Sequence, residues 1–461
     1  MTHQDNIPSS WLSLQLGQVI DYGQTEKVEP ENISSETWVL ELEDIERDTS
    51  RVLQRLTLAE RPSKSTKNSF SPGDILYGKL RPYLNKVIYA DAPGVCSTEI
   101  IPLKPNLAVD SRYLFHWIRH PEFRAYTSQV SHGVNMPRLG TEAGRQAPFI
   151  LAPINEQRRI ADKLDHVLAR VDATNEHLSR VAPLIKRFRK SVLAAATSGR
   201  LTEDWREQNT IKLTDTNNEI DSFRTLQLPK LPRSWSWKPF SSIARISSNL
   251  QDPSVHTDSI HLAPNHVESW TGRIDGVRTI AEDGVTSPKH KFNAGQIVYS
   301  KIRPNLCKVA IPNFSGLCSA DMYPIDTDIH VRYLAYWMRS QKFTDWASNA
   351  ESRTVLPKIN QTQLNALPVP VPSSQEEQYE IVRRVEKLFA FADRLEKRLS
   401  QAQAAVQKLT PALLAKAFRG ELVLQDPNDE PASELLKRLQ ESRANSAKPS
   451  RARKPRARKL P

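Results

Sequence analysis

Two stretches of the chain carry apolar residues at alternating steps of four and three. The first reads Ile160, Leu164, Val167, Val171, Thr174, Leu178, Val181, Ile185, Phe188, Val192. The second reads Ile381, Val385, Leu388, Ala392, Leu395, Leu399, Ala402, Val406, Leu409, Leu413. A heptad stripe of this kind marks a helix that needs a partner helix along its seam. Each helix would run for about 45 residues, or ~68 Å at 1.5 Å per residue, further than one ordinary domain extends. The two are therefore expected to pair with each other as an antiparallel coiled coil with pseudo-two-fold symmetry. Pro183 and Pro411 fall inside these stretches and should kink or interrupt them. Gly199 and Gly420 stand where a C-cap glycine belongs.

The two seams share one offset of 221, and the text before each repeats as well. Gly73 to Val87 (GDILYGKLRPYLNKV) aligns with Gly295 to Val309 (GQIVYSKIRPNLCKV), with nine of fifteen positions identical. Then Gly94 to Glu99 (GVCSTE) matches Gly316 to Asp321 (GLCSAD), and Ser111 to Phe123 matches Val331 to Phe343. Ile7 to Trp11 echoes Leu231 to Trp235. Within each copy, Ile75 to Tyr77 and Ile297 to Tyr299 read as short strands after a glycine turn. Tyr113 to Arg119 and Tyr333 to Arg339 read as amphipathic helices whose Tyr113, Trp117, Tyr333 and Trp337 face a core. The fold class is thus mixed α+β: two tandem α/β domains, each followed by a long helix. The expected divisions are a first domain at 1–152, its helix at 153–205, a linker at 206–230, a second domain at 231–371, its helix at 372–422, and a tail at 423–461.

Composition narrows the class. The net charge of +12 includes eight basic residues between Arg443 and Pro461, where there is no acid; subtracting those eight leaves only +4 for the body. Such a tail is expected to be disordered and to bind phosphates without reading sequence. Three cysteines without CxxC spacing argue against a disulfide framework and a zinc site. No apolar run approaches the ~18–20 residues of a membrane span, and the N-terminus lacks the layout of a signal peptide. The expectation is a cytoplasmic chain with no membrane contact, no metal and no cofactor.

At this point the chain resembles a specificity (S) subunit of a type I restriction–modification system. The resemblance rests on the tandem layout and on the Glu-Gln entry to each helix, Pro153 to Gln157 and Pro372 to Gln378. It rests also on the helix-ending text, Lys186 to Glu207 and Leu413 to Leu422. It implies a non-catalytic subunit that binds double-stranded DNA and two methyltransferase (M) subunits, together with restriction/translocase (R) subunits. The DNA site would be split and asymmetric, one half read by each domain. The helical regions would form the methyltransferase-subunit interface as well as the coiled coil, with Ile160, Leu164, Val167, Val171, Leu178, Ile381, Val385, Leu388, Leu395 and Leu399 as its residues.

Candidate DNA contacts come from the residues themselves. Lys79, Arg81 and Lys86 recur as Lys301, Arg303 and Lys308. A strand would put Lys79 and Arg81 on one face, with the arginine left at a loop edge by the following proline. Being shared, the motif suits a common backbone contact or a fold-stabilising role, for instance an ion pair with Glu99 or Asp321. Arg138 and Lys358 follow equivalent prolines. Sequence-specific readers should lie where the halves differ, in Arg51 to Asn68 and Gly272 to Lys291, the latter including Arg273. His256, His261 and His266 lack the acid or cysteine partners of a metal site, and Cys96 and Cys318 read as small buried residues. No phosphate-binding GxxxxGK[ST] segment, amino-methyltransferase tetrapeptide or HExxH occurs. The rival reading is a non-catalytic coiled-coil scaffold or adaptor, which explains the heptads but not the paired basic motifs.

Overall fold

The computed structural model describes residues 7–131, 133, 135–209, 228–349 and 357–446. They form two units, Met1–His177 with Ala402–Pro461, and Leu178–Gln401.

In the first unit the chain enters through Leu12–Gln15, which pairs antiparallel with Pro148–Leu151, the last strand before the long helix. Between them lie two sheets. One has five short strands in the order Lys27–Val28, Lys67–Phe70, Gly94–Cys96, Trp38–Leu40, Leu56–Thr57. The other has three, with Ile75–Gly78 between Val87–Tyr89 and Ile100–Leu103. The second unit repeats this order strand for strand: Leu250–Gln251, Lys289–Phe292, Gly316–Cys318, Ile260–Leu262, Arg278–Thr279. Its smaller sheet gains a fourth strand, Ala244–Ile246, beside Met322–Thr327. The predicted aromatic helices are Ser111–Ile118 and Val331–Met338, and their aromatic faces are core. Tyr113, Trp117, Tyr333 and Trp337 are each at most 2% exposed. The hydroxyl of Tyr113 donates to the Ile150 carbonyl at 2.9 Å, and that of Tyr333 to Pro370 at 2.6 Å. Cys96 and Cys318 are buried thiols on equivalent strands.

The long helices are Ile154–Thr197 and Gln375–Phe418, 44 residues each. Pro183 and Pro411 lie inside them without interrupting them. A proline deletes one backbone hydrogen bond, and each helix continues past it. In the second unit the pairing is antiparallel. Arg189 reaches Asp393 (2.8 Å), Arg384 donates to the Leu201 carbonyl (2.8 Å), and Thr202 donates to Glu377 (2.8 Å). Val192, Leu193 and Ala196 share a core with Ile381, Val382 and Val385. In the first unit Ile160, Leu164 and Leu168 share a core with Leu414, Ala417 and Phe418.

The strict heptad needs correction. Leu168 and Leu414 are buried where the four-three pattern chose Val167 and Leu413, which are half-buried, and Leu409 is 44% exposed. Leu178, Leu388, Leu395 and Leu399 are also half-buried, while Ile160, Val171, Ile381 and Val385 are buried. Near its ends each helix is covered by the partner helix and by a globular core together, so the apolar stripe widens beyond a two-helix seam.

The Glu-Gln motif at each helix start has two separate tasks. Buried Glu156 accepts from Trp11 Nε1 (2.8 Å) and from the Gln425 amide. Buried Glu377 accepts from Trp235 Nε1 (3.0 Å), Thr202 and Arg206 (2.6 Å). The neighbouring glutamine ties the helix to the loop before the aromatic helix. Gln157 accepts from Asp110 N and donates to the Ala108 and Ala152 carbonyls, and Gln378 accepts from His330 N. The helices end at left-handed glycines, Gly199 (φ +80°) and Gly420 (φ +76°). A side chain there would also collide with Pro232 or Pro8 respectively.

Two expected boundaries shift. Arg206, placed at the start of the linker, belongs to the Glu377 cluster, on a helix Glu203–Gln208; residues 210–227 of that linker lie outside the described residues. The segment expected as tail folds on the first unit through its helix Ala432–Ser446, with Leu435 and Leu439 buried. Arg159 pairs with Asp429 (2.6 Å) and Arg443 with Asp21 (2.8 Å). Leucines at helical spacing make that helix amphipathic, a signal hidden beside the basic run, of which residues 447–461 lie outside the described residues.

Candidate nucleic-acid interface

The shared basic motif forms a tight turn that each unit builds in the same way. The strand ends at Gly78 (Ser300 in the second unit), one residue before the first lysine. The chain then enters the left-handed region at Arg81 (φ 51°, ψ 61°), makes one 3-10 turn over Pro82–Leu84, and is left-handed again at Asn85 (φ 47°). Arg303 (φ 47°) and Cys307 (φ 49°) repeat this around Pro304–Leu306. The expected strand face for Lys79 and Arg81 is therefore corrected, because alternation fails once Arg81 turns left-handed. Non-glycine residues in this region each cost on the order of 1–3 kcal/mol and persist only where the surroundings impose them.

The surroundings impose it through backbone bonds. Arg81 N donates to the Pro137 carbonyl (2.7 Å) and Leu139 N to the Lys79 carbonyl (3.0 Å); Lys79 N donates to the Glu99 carbonyl (2.9 Å). In the second unit Arg303 N donates to Pro357, Ile359 N to Lys301 and Lys301 N to Asp321, at 2.8 to 3.0 Å. These bonds bring Lys79, Arg81 and Arg138 to one edge of the first unit, and Lys301, Arg303 and Lys358 to one edge of the second.

The side chains divide by task. Arg81 and Arg303 are exposed, and among the described residues neither guanidinium has a hydrogen-bond or ion-pair partner. Lys79 is half-exposed and likewise unpaired, whereas the Lys301 ammonium lies 5.1 Å from the Tyr323 ring centroid. Lys86 turns inward and donates to the Leu42 carbonyl (2.6 Å); Lys308 donates to Pro264 (2.5 Å). Burial lowers the pKa of both ammonium groups, and both fasten the turn to the five-stranded part of their unit. Arg138 pairs with Glu99 (3.0 Å) and Lys358 with Asp321 (3.3 Å), so the acids expected to pair with the shared motif are taken by these neighbours instead. All four partners remain partly exposed, so these are weak surface pairs that an incoming phosphate can displace.

Arg273 sits elsewhere. It joins Arg189 on the carboxylates of Asp393 and Glu396, clamping a loop of the second domain to the long helices. The variable segments expected to read bases are largely occupied internally. Arg55 lies over Trp38 (4.5 Å) and pairs with Asp91; Arg61 pairs with buried Asp44; Lys67 pairs with Glu41 (2.7 Å); Lys289 donates to Ser287. Arg51 and Arg278 stay exposed. His261, taken to lack an acid partner, has one in Asp283 (2.8 Å). Sequence reasoning missed Tyr83, which projects from the turn beside Arg81 and is 52% exposed; an aromatic residue held next to two cations was the available signal.

Residues 48–182 and 271–402, more than half of the chain, match the family of the type I restriction modification DNA specificity domain. The chain is 46% identical over 358 residues to the type I restriction enzyme EcoDI specificity subunit of Escherichia coli, covering 76% of this chain and 80% of that one. It is 30% identical over 419 residues to the EcoBI specificity subunit, also of Escherichia coli, covering 83% and 82%. Among solved structures, the specificity subunit of Thermoanaerobacter tengcongensis shares its fold at a TM-score of 0.56 and 18% identity, covering 91% of this chain and all of that one. A chain from a type I restriction–modification assembly gives 0.66 at 18% identity, covering 90% of this chain and 99% of that one. No described helix is long and apolar enough to cross a membrane. The chain, two copies of one domain plan each leading into a long helix, belongs to the type I restriction–modification specificity subunits.

Proposed function

We propose that the chain is a non-catalytic cytoplasmic subunit that binds double-stranded DNA at a split, asymmetric site. Residues 1–152 read one half and residues 231–371 the other. It brings two methyltransferase subunits, and restriction/translocase subunits where present, to that site. The observation that carries this reading is the pair of exposed arginines, Arg81 and Arg303, on equivalent strained turns, neither with a partner among the described residues. Strain kept twice at a surface that the fold leaves unsatisfied is what a ligand-facing turn requires. Lys79, Arg81, Arg138, Lys301, Arg303 and Lys358 are the proposed contact set. Lys86 and Lys308 hold the turn from behind, and Arg273 holds its loop against a helix.

The helical stretches, 153–205 and 372–422, serve as the methyltransferase docking region and as a ruler. One added base pair moves a half-site by ~3.4 Å and rotates it by roughly 35°, and paired helices accommodate neither change easily. Methylome sequencing of cells with and without the gene tests the function: a split motif that vanishes on deletion supports it, and an unchanged methylome refutes it. Removing four residues from one seam tests the ruler. The gap between half-sites should change while the half-sites stay the same; altered half-site identity would refute the ruler.

A further inference from the structure

Within the fifteen-residue block shared by both halves, six positions differ. Their placement sorts them. Asp74 and Gln296 cap the preceding turn, accepting from Ser71 N and Asn293 N respectively. The pairs Leu76/Val298, Gly78/Ser300 and Asn85/Cys307 are buried, and Leu80/Ile302 are half-buried aliphatics. The one position exposed in both units holds Tyr83 in the first and Asn305 in the second.

Both residues occupy the middle of the same 3-10 turn, flanked by left-handed residues on either side. In each case the turn packs on the helix that follows the aromatic helix, Pro121–Val130 or Gln341–Asn349. The invariant residues of the turn are committed: the proline is buried inward, and the second lysine is bonded to a carbonyl. What remains pointing outward is one arginine common to both halves and one side chain that differs. Among the described residues neither the Tyr83 hydroxyl nor the Asn305 amide has a partner.

From this we infer that Tyr83 and Asn305 are base-reading residues that give the two halves different preferences, while Arg81 and Arg303 beside them hold the backbone. The inference rests on the DNA-contact reading of the turn and adds a division of labour to it. Their chemistry fits different edges. An asparagine amide offers a donor and an acceptor side by side, matching the N6 and N7 edge of adenine in the major groove. A tyrosine offers a flat apolar ring with one hydroxyl, suited to a thymine methyl or to the face of an unstacked base. A rigid turn is the right support, because a shift of an ångström would uncouple a bidentate contact.

The test uses the chain assembled with its methyltransferase subunits, in competition binding against duplexes varied one base pair at a time across the methylated site. Tyr83→Ala and the exchange Tyr83→Asn should alter base preference at one or two adjacent positions of one half-site, by roughly 10- to 100-fold. Asn305→Ala and Asn305→Tyr should do the same in the other half-site only. Both positions are exposed, and unchanged melting of each variant confirms folding. A uniform loss across all duplexes, no change at all, or altered preference in both half-sites from one substitution would each overturn the assignment. Arg81→Ala and Arg303→Ala test the underlying reading separately. They should weaken every duplex alike and flatten the salt dependence, and if they do neither, the turn is not the DNA-contacting surface.

Discussion

Phe418, the last residue of the second long helix, gives the sharpest test of how that helix holds the first unit. Its ring is 3% exposed and lies 4.9 Å from the ring of Tyr113, 4.9 Å from Trp117 and 5.2 Å from His120. Phe418→Ala removes a buried ring from a packed aromatic cluster, a change that costs about 3–5 kcal/mol when the cavity cannot collapse. Collapse is hindered because Tyr113 and Trp117 are themselves pinned, through hydrogen bonds to the Ile150 and Pro148 carbonyls. Leu409→Ala, on the same helix but 44% exposed, controls for helix propensity and should cost less than about 1 kcal/mol. Hydrogen exchange reads the difference locally. Amides of Tyr113–Ile118 and of the last helical turn should lose protection in Phe418→Ala and keep it in Leu409→Ala. Equal effects of the two substitutions would refute the view that burial of this ring, rather than the helical seam at large, fastens the helix end.

Three further outcomes follow from the geometry. Arg81→Ala should leave stability unchanged and reduce the slope of log affinity against log salt by about 1, whereas Lys86→Met should cost roughly 0.5–1.5 kcal/mol by removing one of the two hydrogen bonds to the Leu42 carbonyl, the other coming from Ile45 N; urea unfolding and salt-titrated binding separate them. Burial raises the Glu156 carboxyl above its ordinary value of 4.5, against the hydrogen bonds from Trp11 and Gln425 and the charge of Arg159. The stability contributed by its neutral form is complete below pH 4.5 and is lost as pH rises through the raised value. Melting of Glu156→Gln should therefore improve relative to the parent between pH 4 and pH 7, and a shift the other way would contradict the assignment. Gly199→Ala meets both a left-handed backbone and the ring of Pro232, so it should destabilise the second unit by more than about 1 kcal/mol in denaturant titration.

The long helices, the repeat and the aromatic cores were legible because periodicity and internal repetition are local, additive signals. The partners of Glu156 were not, since Trp11 lies 145 residues away in sequence and Gln425 lies 269 away. Lys86 and Arg81 illustrate the limit most clearly. Both are basic, both recur in the second half, and nothing in the text separates a lysine that bonds a carbonyl from an arginine that faces solvent. The left-handed turn that separates them depends on pairing with residues 137–139, more than fifty positions on. The C-terminal helix is hard to read for a different reason: its few leucines at helical spacing stand directly beside a dense basic run.

The discontinuity of the first unit has a consequence for biosynthesis. Trp117 leaves the ribosome 301 residues before Phe418, the residue that covers it. At translation rates of roughly 5–20 residues per second, that gap lasts about 15–60 s. The 224 residues from Leu178 to Gln401 are complete before the closing segment emerges. The half that is made first is thus the half finished last, and its aromatic surface waits uncovered on the nascent chain. Premature termination anywhere before Phe418 would release a product with that surface open, so incomplete messages should yield aggregation and proteolysis rather than a free one-domain reader.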